Sequence, residues 1–280
     1  MRKVLSLGAG VQSTALLLMS VEGEIERPDF VVFADTGWEP LAVYEQLERL
    51  RVVMEREGIP FEQLSVGNIK DRELSSEARD GRGETKPGTL SRYLTMPYYC
   101  RNRETDEKGM LNRQCTRMFK INPVNKAIKK FFEIPRMKAN TNPEPLVERW
   151  YGITTDEIRR MRLSKEWWAE NYYPLVDLGL TRTDCKFWLE DYGWHDAPKS
   201  ACVACPYRSD AEWRKIKDNA PEEFAEACEF DDAIRESGGP NNTLYVHRSG
   251  RPLRQADLST AEDHGQERLF DDECAGMCGV

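Results

Sequence analysis

Histidine is scarce in this chain: three residues, His195, His247 and His264, among 280. They are dispersed, and no two stand at a metal-ligand spacing, so a histidine-built metal centre is not expected. Long apolar runs are missing as well. No stretch approaches the ~18 consecutive apolar residues of a membrane helix. The apolar run in residues 1–7 is too short for a signal sequence and leads straight into Gly8. The expected location is the cytoplasm, with no membrane partner. Positive charge is not in excess: 40 Lys and Arg against 48 Asp and Glu give a net charge of −8. That excludes a surface given over wholly to nucleic acid and leaves room for a local basic groove. No internal repeat is visible.

Apolar residues make up 40% of the chain, enough for a sizeable core. Residues 4–7 read as a strand, 8–13 as a Gly-rich turn and 14–21 as an apolar helix. Residues 30–34 read as a second strand, 41–57 as a helix and 60–66 as a third strand. This alternation is the pattern of an α/β protein, a parallel sheet covered by helices on both faces. Further on, residues 70–111 are polar and read as a long loop or insertion. A helix is expected over 123–132, a strand over 151–154 and a helix over 182–192. The charged stretch 212–234 reads as helix, interrupted at Pro221.

The turn Ser6-Leu7-Gly8-Ala9-Gly10-Val11-Gln12-Ser13-Thr14 joins a strand to a helix. Its small residues let backbone N–H groups approach phosphate oxygens, the helix N-terminus favours an anion, and Ser13 and Thr14 add hydroxyls. A tight turn with no ligand is the competing reading. No Gly-Lys-Ser/Thr follows, so this is not a Walker loop, and the third glycine of the dinucleotide fingerprint is absent. Asp35-Thr36-Gly37, followed by Glu39-Pro40, comes after the second strand. In a parallel sheet both segments fall on the carboxyl edge, where ligands bind.

Here the sequence resembles a family. The turn is similar to the PP-loop of the adenine nucleotide α-hydrolase-like fold. Asp35-Thr36-Gly37 resembles the Asp-Thr-Gly element of phosphoadenosine phosphosulfate reductases, the sulfonucleotide reductases. Gly152-Ile153-Thr154-Thr155-Asp156-Glu157-Ile158-Arg159-Arg160 and Tyr173-Pro174-Leu175-Val176-Asp177 resemble two later elements of that family, in order. The resemblance implies a PP-loop nucleotide-binding domain over 1–235 with an insertion near 70–111, and a C-terminal extension with a Cys-containing tail over 236–280. It implies that Ser6, Gly8, Ala9, Gly10, Gln12, Ser13, Thr14, Asp35, Thr36, Gly37, Gly152, Asp156, Glu157 and Arg160 contact an adenine nucleotide. Gln12 departs from the Asp of ATP-using relatives and is a poor magnesium ligand, which favours a sulfonucleotide over ATP.

Eight cysteines in a reducing compartment point to metal or redox use rather than disulfides. Cys202-Val203-Ala204-Cys205 is the clearest metal motif. The segment around Cys115 resembles the cysteine-containing helix start of cluster-bearing adenylyl-sulfate reductases. By that resemblance a 4Fe-4S cluster is expected on Cys115, Cys202 and Cys205, with Cys185 as the fourth ligand; a zinc site on the same residues is the alternative. Cys100 and Cys228 read as small core residues. Cys274 and Cys278 loosely resemble the family's tail cysteine and are the candidate nucleophiles. Arg113, Arg117 and Lys120, which match family elements, join Arg160 as candidate contacts to phosphate or sulfate.

Three functions follow from these features. In the first, the protein reduces an adenine sulfonucleotide, with a thioredoxin-like thiol donor. In the second, ATP with magnesium activates a carbon of tRNA, DNA or a small molecule for sulfur transfer. The third is a non-catalytic nucleotide-binding accessory protein.

Overall fold

The computed structural model describes residues 1–75, 94–136 and 144–260, together with the strand residues 78–79 and 85–86 and the single positions 263 and 265. Cys274, Cys278 and His264 lie outside the described residues. Strand β1 (Arg2–Leu7) leads through the Gly-rich turn into helix α1 (Val11–Glu22), then β2 (Phe30–Asp35), α2 (Leu41–Arg56) and β3 (Phe61–Ser65). Next come the short helix α3 (Ile69–Leu74) and a two-residue antiparallel pair, β4 (Ala78–Arg79) with β5 (Thr85–Lys86). Strands β6 (Tyr99–Asn102) and β7 (Lys108–Met110) precede a π-helical turn at Thr116–Ile121 and α4 (Asn122–Phe131). The chain returns to the main sheet as β8 (Val147–Trp150) and β9 (Ala169–Tyr172), separated by a 3-10 turn at Thr155–Arg160. It continues through α5 (Pro174–Asp177), α6 (Arg182–Asp191), α7 (Asp210–Asn219), α8 (Pro221–Ala233) and β10 (Asn242–Tyr245).

The main sheet has five strands, all parallel, in the order β3-β2-β1-β8-β9. Strand side chains alternate between the two faces, and helices cover both. Leu5, Leu7, Val31 and Phe33 pack with residues of α1, α2 and α6, among them Leu16, Leu47 and Leu189. On the opposite face Val4, Phe30, Val32 and Val147 pack with Val124 and Ile128 of α4. The protein is therefore an α/β protein built on a helix-covered parallel sheet. Among the described residues no helix is long and apolar enough to cross a membrane.

Two expectations change. The strand expected over 151–154 lies four residues earlier, at β8, and 151–154 forms its exit loop. Val147, Arg149 and Trp150 carry the buried positions, whereas Gly152 is kept small for another reason: a Cβ there would stand 2.8 Å from the Ser13 nitrogen. The region 70–111, read as loop, contains β6 and β7, and β6 pairs with β10 to give a second sheet in the order β10-β6-β7. That sheet and helices α7 and α8 enclose a second core around Trp38, Tyr98, Trp213, Phe230 and Leu244. Pro221 separates α7 from α8 as the sequence indicates.

Candidate functional site

The chain runs outward from β1 to β2 and β3, then returns to the other side of β1 as β8. A parallel sheet opens a crevice at the carboxyl ends of strands where the order reverses in this way. A cleft of about 1020 Å³, its open mouth included, occupies that place. Ser6, Gly8, Gly10, Gln12 and Ser13 line one side, and Phe33 and Ala34 come from the end of β2. Helix α1 begins at the cleft, with no side-chain cap on its first turn. Its free N–H groups and dipole therefore favour an anion there. Ser13 closes the turn on itself: its Oγ accepts from Gly8 N at 3.2 Å and donates to Gly10 O at 3.3 Å. Ala9 takes a left-handed conformation, φ 54°. Ala9 and Thr14 do not line the cleft: Ala9 belongs to the core, and the Thr14 hydroxyl accepts from Gln46 Nε2 at 3.1 Å.

The opposite side of the cleft is built by the loop after β8, through Tyr151, Gly152, Glu157 and Arg160. Glu157 is buried and receives Gln12 Nε2 at 3.0 Å and Arg160 Nη1 at 2.7 Å. One carboxylate thus ties the Gly-rich turn to the β8 exit. Asp156 points elsewhere, accepting the Arg182 backbone N–H at 3.1 Å. Arg182, Lys199 and Ser200 also line the cleft. The segment carrying Ser200 lies on the Gly-rich turn: a Cβ on Gly10 would meet Ser200 N at 3.2 Å and Pro198 O at 3.4 Å.

The Asp35-Thr36-Gly37 element does not line this cleft. The Asp35 carboxylate accepts from Gly37 N, Tyr44 OH and Gln63 Nε2 at 2.7, 2.9 and 3.0 Å. Gly37 has φ +72°, and its carbonyl accepts from Asn68 Nδ2 at 2.7 Å. These bonds turn Thr36 toward a second cavity, where its Oγ1 lies 3.3 Å from Cys202 Sγ. Thr36 also donates to Glu39 Oε1 at 2.9 Å, and Lys120 Nζ stands 3.6 Å from the same oxygen.

Cys115, Cys202 and Cys205 line that second cavity together with Thr36, Arg113 and Lys120. Cys185 does not. It sits on α6 in the core of the main sheet, fully buried. Burial first, then the nearby Asp156 and Asp184, push its thiol up to about 12. The expected fourth cysteine ligand is therefore a packed core residue, because the inner face of α6 is turned to α1. Burial, reinforced by Glu39 and opposed by Lys120, pushes Cys202 to about 12. Burial likewise raises Cys115, against the pull of Lys120 and Arg113. Burial would lower the Lys120 ammonium, but Glu39 and the three cysteine sulfurs outweigh it and hold it above its ordinary value. Arg113 stacks over Tyr207 at 5.6 Å, and Arg117 is exposed and lines neither cavity.

Among the described residues no three His, Cys, Asp or Glu side chains close on a point where they could hold one metal ion. The three thiols stand around a cavity instead. Three thiols are a donor set that both a zinc ion and an iron–sulfur cluster use. Lys120 and Arg113 supply positive charge beside it.

Lys120 and Ser200 line both cavities. Two of the residues placed here adjoin a visible motif, since Lys199 and Ser200 precede Cys202-x-x-Cys205 by two or three positions. Arg182 had no such signal, and Glu39 was visible only as a neighbour of the Asp-Thr-Gly element.

No protein-family model matches the sequence, and no curated protein does. Among solved structures, the chain is similar to the U34-tRNA thiolase NcsA from Methanococcus maripaludis with its 4Fe-4S cluster. Identity is 10%, the TM-score is 0.40, and the match covers 84% of this chain and 72% of that one. So loose a likeness says nothing about activity.

Proposed function

We propose that the protein is an adenine-nucleotide-dependent sulfur-transfer enzyme of the PP-loop type, with a 4Fe-4S cluster held by Cys115, Cys202 and Cys205. The observation that carries this reading is the wall common to the two cavities, Lys120 and Ser200. Nucleotide phosphates fit against the start of α1, where the free backbone N–H groups of the first turn offer donors. Lys120 then stands between phosphate and thiols, its charge available to both. Cys115, Cys202 and Cys205 would hold the cluster, which when bound would supply iron able to carry sulfur. The acceptor is a carbonyl-type carbon of a tRNA or DNA base, or of a small molecule, activated by ATP with magnesium.

A second reading has one specific observation in its favour. Gln12 is neutral and its amide is engaged by Glu157, which suits a sulfonucleotide better than magnesium-bound ATP. Reduction of that substrate would use a thioredoxin-like thiol donor and Cys274 or Cys278. Anaerobic purification with iron and sulfide analysis, followed by two incubations, separates the readings. ATP with magnesium, tRNA and inorganic sulfide as sulfur donor should release AMP and pyrophosphate and leave sulfur in the RNA. Sulfite from adenylyl sulfate and thioredoxin would establish the reductase instead, and zinc without iron would remove the cluster from both.

A further inference from the structure

Four cations line the cleft at the end of β1: Lys120, Arg160, Arg182 and Lys199. Three of them already face a carboxylate. Lys120 stands 3.6 Å from Glu39, Arg160 stands 2.7 Å from Glu157, and Lys199 pairs with Glu212. Arg182 differs. Among the described residues its guanidinium has no acidic partner, and its Nε is enclosed by protein with no hydrogen-bond partner. The base of the side chain is fixed, because its backbone N–H donates to Asp156 at 3.1 Å and it opens helix α6.

A cation that lines a cleft with no acidic partner among the described residues is set to receive an anion there. The planar fork of arginine matches the oxygens of a phosphate or sulfate. The rest of the cleft has the same preference: the start of α1 lies at it, and the one carboxylate lining it among the described residues, Glu157, is already engaged by Gln12 and Arg160.

We propose that Arg182 binds an oxyanion of the substrate, a phosphate or sulfate group, in this cleft and so selects for the charged end of the nucleotide. The inference rests on the cleft being a nucleotide site. Nothing in the family resemblance assigns this residue.

The test is calorimetric titration of the full-length wild type, Arg182→Met and Arg182→Lys with ATP, adenylyl sulfate, its 3'-phosphorylated form and adenosine. Arg182→Met should weaken at least one charged nucleotide by about 10- to 100-fold, the loss of a charge-assisted contact. Arg182→Lys should fall between, and adenosine should bind the three proteins equally. A loss for ATP alone assigns the contact to the polyphosphate, a loss for both sulfonucleotides assigns it to the sulfate, and a loss for the 3'-phosphorylated form alone assigns it to that phosphate. Unchanged affinity for every charged nucleotide in Arg182→Met overturns the role of Arg182 and leaves the cleft as a nucleotide site. An equal loss for adenosine overturns it too, since the substitution would then have disturbed the cleft itself. A wild type that binds no adenine nucleotide overturns the nucleotide reading, and the role of Arg182 with it.

Discussion

Glu39 has 1% of its side chain exposed, and its Oε2 has no hydrogen-bond partner among the described residues. Its other oxygen holds Thr36 and faces Lys120. Removing the carboxylate leaves a largely enclosed ammonium uncompensated. Glu39→Ala should therefore cost roughly 3 kcal/mol, the low end for a broken buried pair because a quarter of the Lys120 side chain still meets solvent. Urea unfolding of the metal-free protein measures it, and a loss under about 1 kcal/mol, the range of an exposed pair, would mean that water takes over the role of Glu39. The residue scale is also where the sequence was least legible. Asp35-Thr36-Gly37 was recognisable as a motif, but its direction depends on Gln63, Tyr44 and Asn68, which stand on other elements. Cys185 lies away from the cysteine cavity for the same reason: spacing along the chain does not reveal which face of α6 is turned to the core.

Among the elements, the exit of β8 comes close against the start of α1. Gly152→Ala would place a methyl 2.8 Å from the Ser13 nitrogen. The backbone must then shift, at about 1–3 kcal/mol for an overpacked site, and the first turn of α1 moves with it. Thermal unfolding should show the loss, and nucleotide affinity should fall in parallel; unaltered affinity would separate Gly152 from the cleft's function. The segment over the Gly-rich turn is pinned differently, by Lys199 on Glu212. Burial pushes the Glu212 carboxyl up, but Lys199 outweighs it and leaves the group below its ordinary value. A depressed carboxyl contributes stability above its unfolded value, about 4.3, and loses it as pH falls through the folded value. Wild type should therefore lose melting temperature more steeply than Glu212→Gln as pH is lowered from about 5 into the acid range. Parallel profiles for the two proteins would count against the clamp. Strands, helices and the Pro221 break were legible because they follow local periodicity and backbone chemistry. Strands β6, β7 and β10 were not, being short and polar and stabilised by pairing between distant segments.

At the scale of the whole molecule, apolar clusters lie on both faces of the main sheet, and a second core, separate from them, surrounds Trp213 and Phe230. The cysteine cavity belongs to the second, in which Cys115 and Cys202 are packed. With the proposed cluster in the cysteine cavity, metal removal should loosen that half first. Hydrogen exchange of the chelated protein should quicken in α7, α8 and β6 while β1 and β2 keep their protection. Equal acceleration in both halves would place the metal's influence elsewhere. The α/β class was legible from the first 66 residues; the second core was not, since it joins segments from Trp38 to Leu258.

The central strand has its own history in the ribosome exit path. β1 gains its first neighbour from β2 almost at once, but its other edge pairs with β8, which follows about 110 residues later. At roughly 5–20 residues per second the nascent chain spends on the order of 6 to 20 s with the central strand of its sheet open along one side. That interval, rather than the stability of the finished protein, sets when this chain most needs a chaperone.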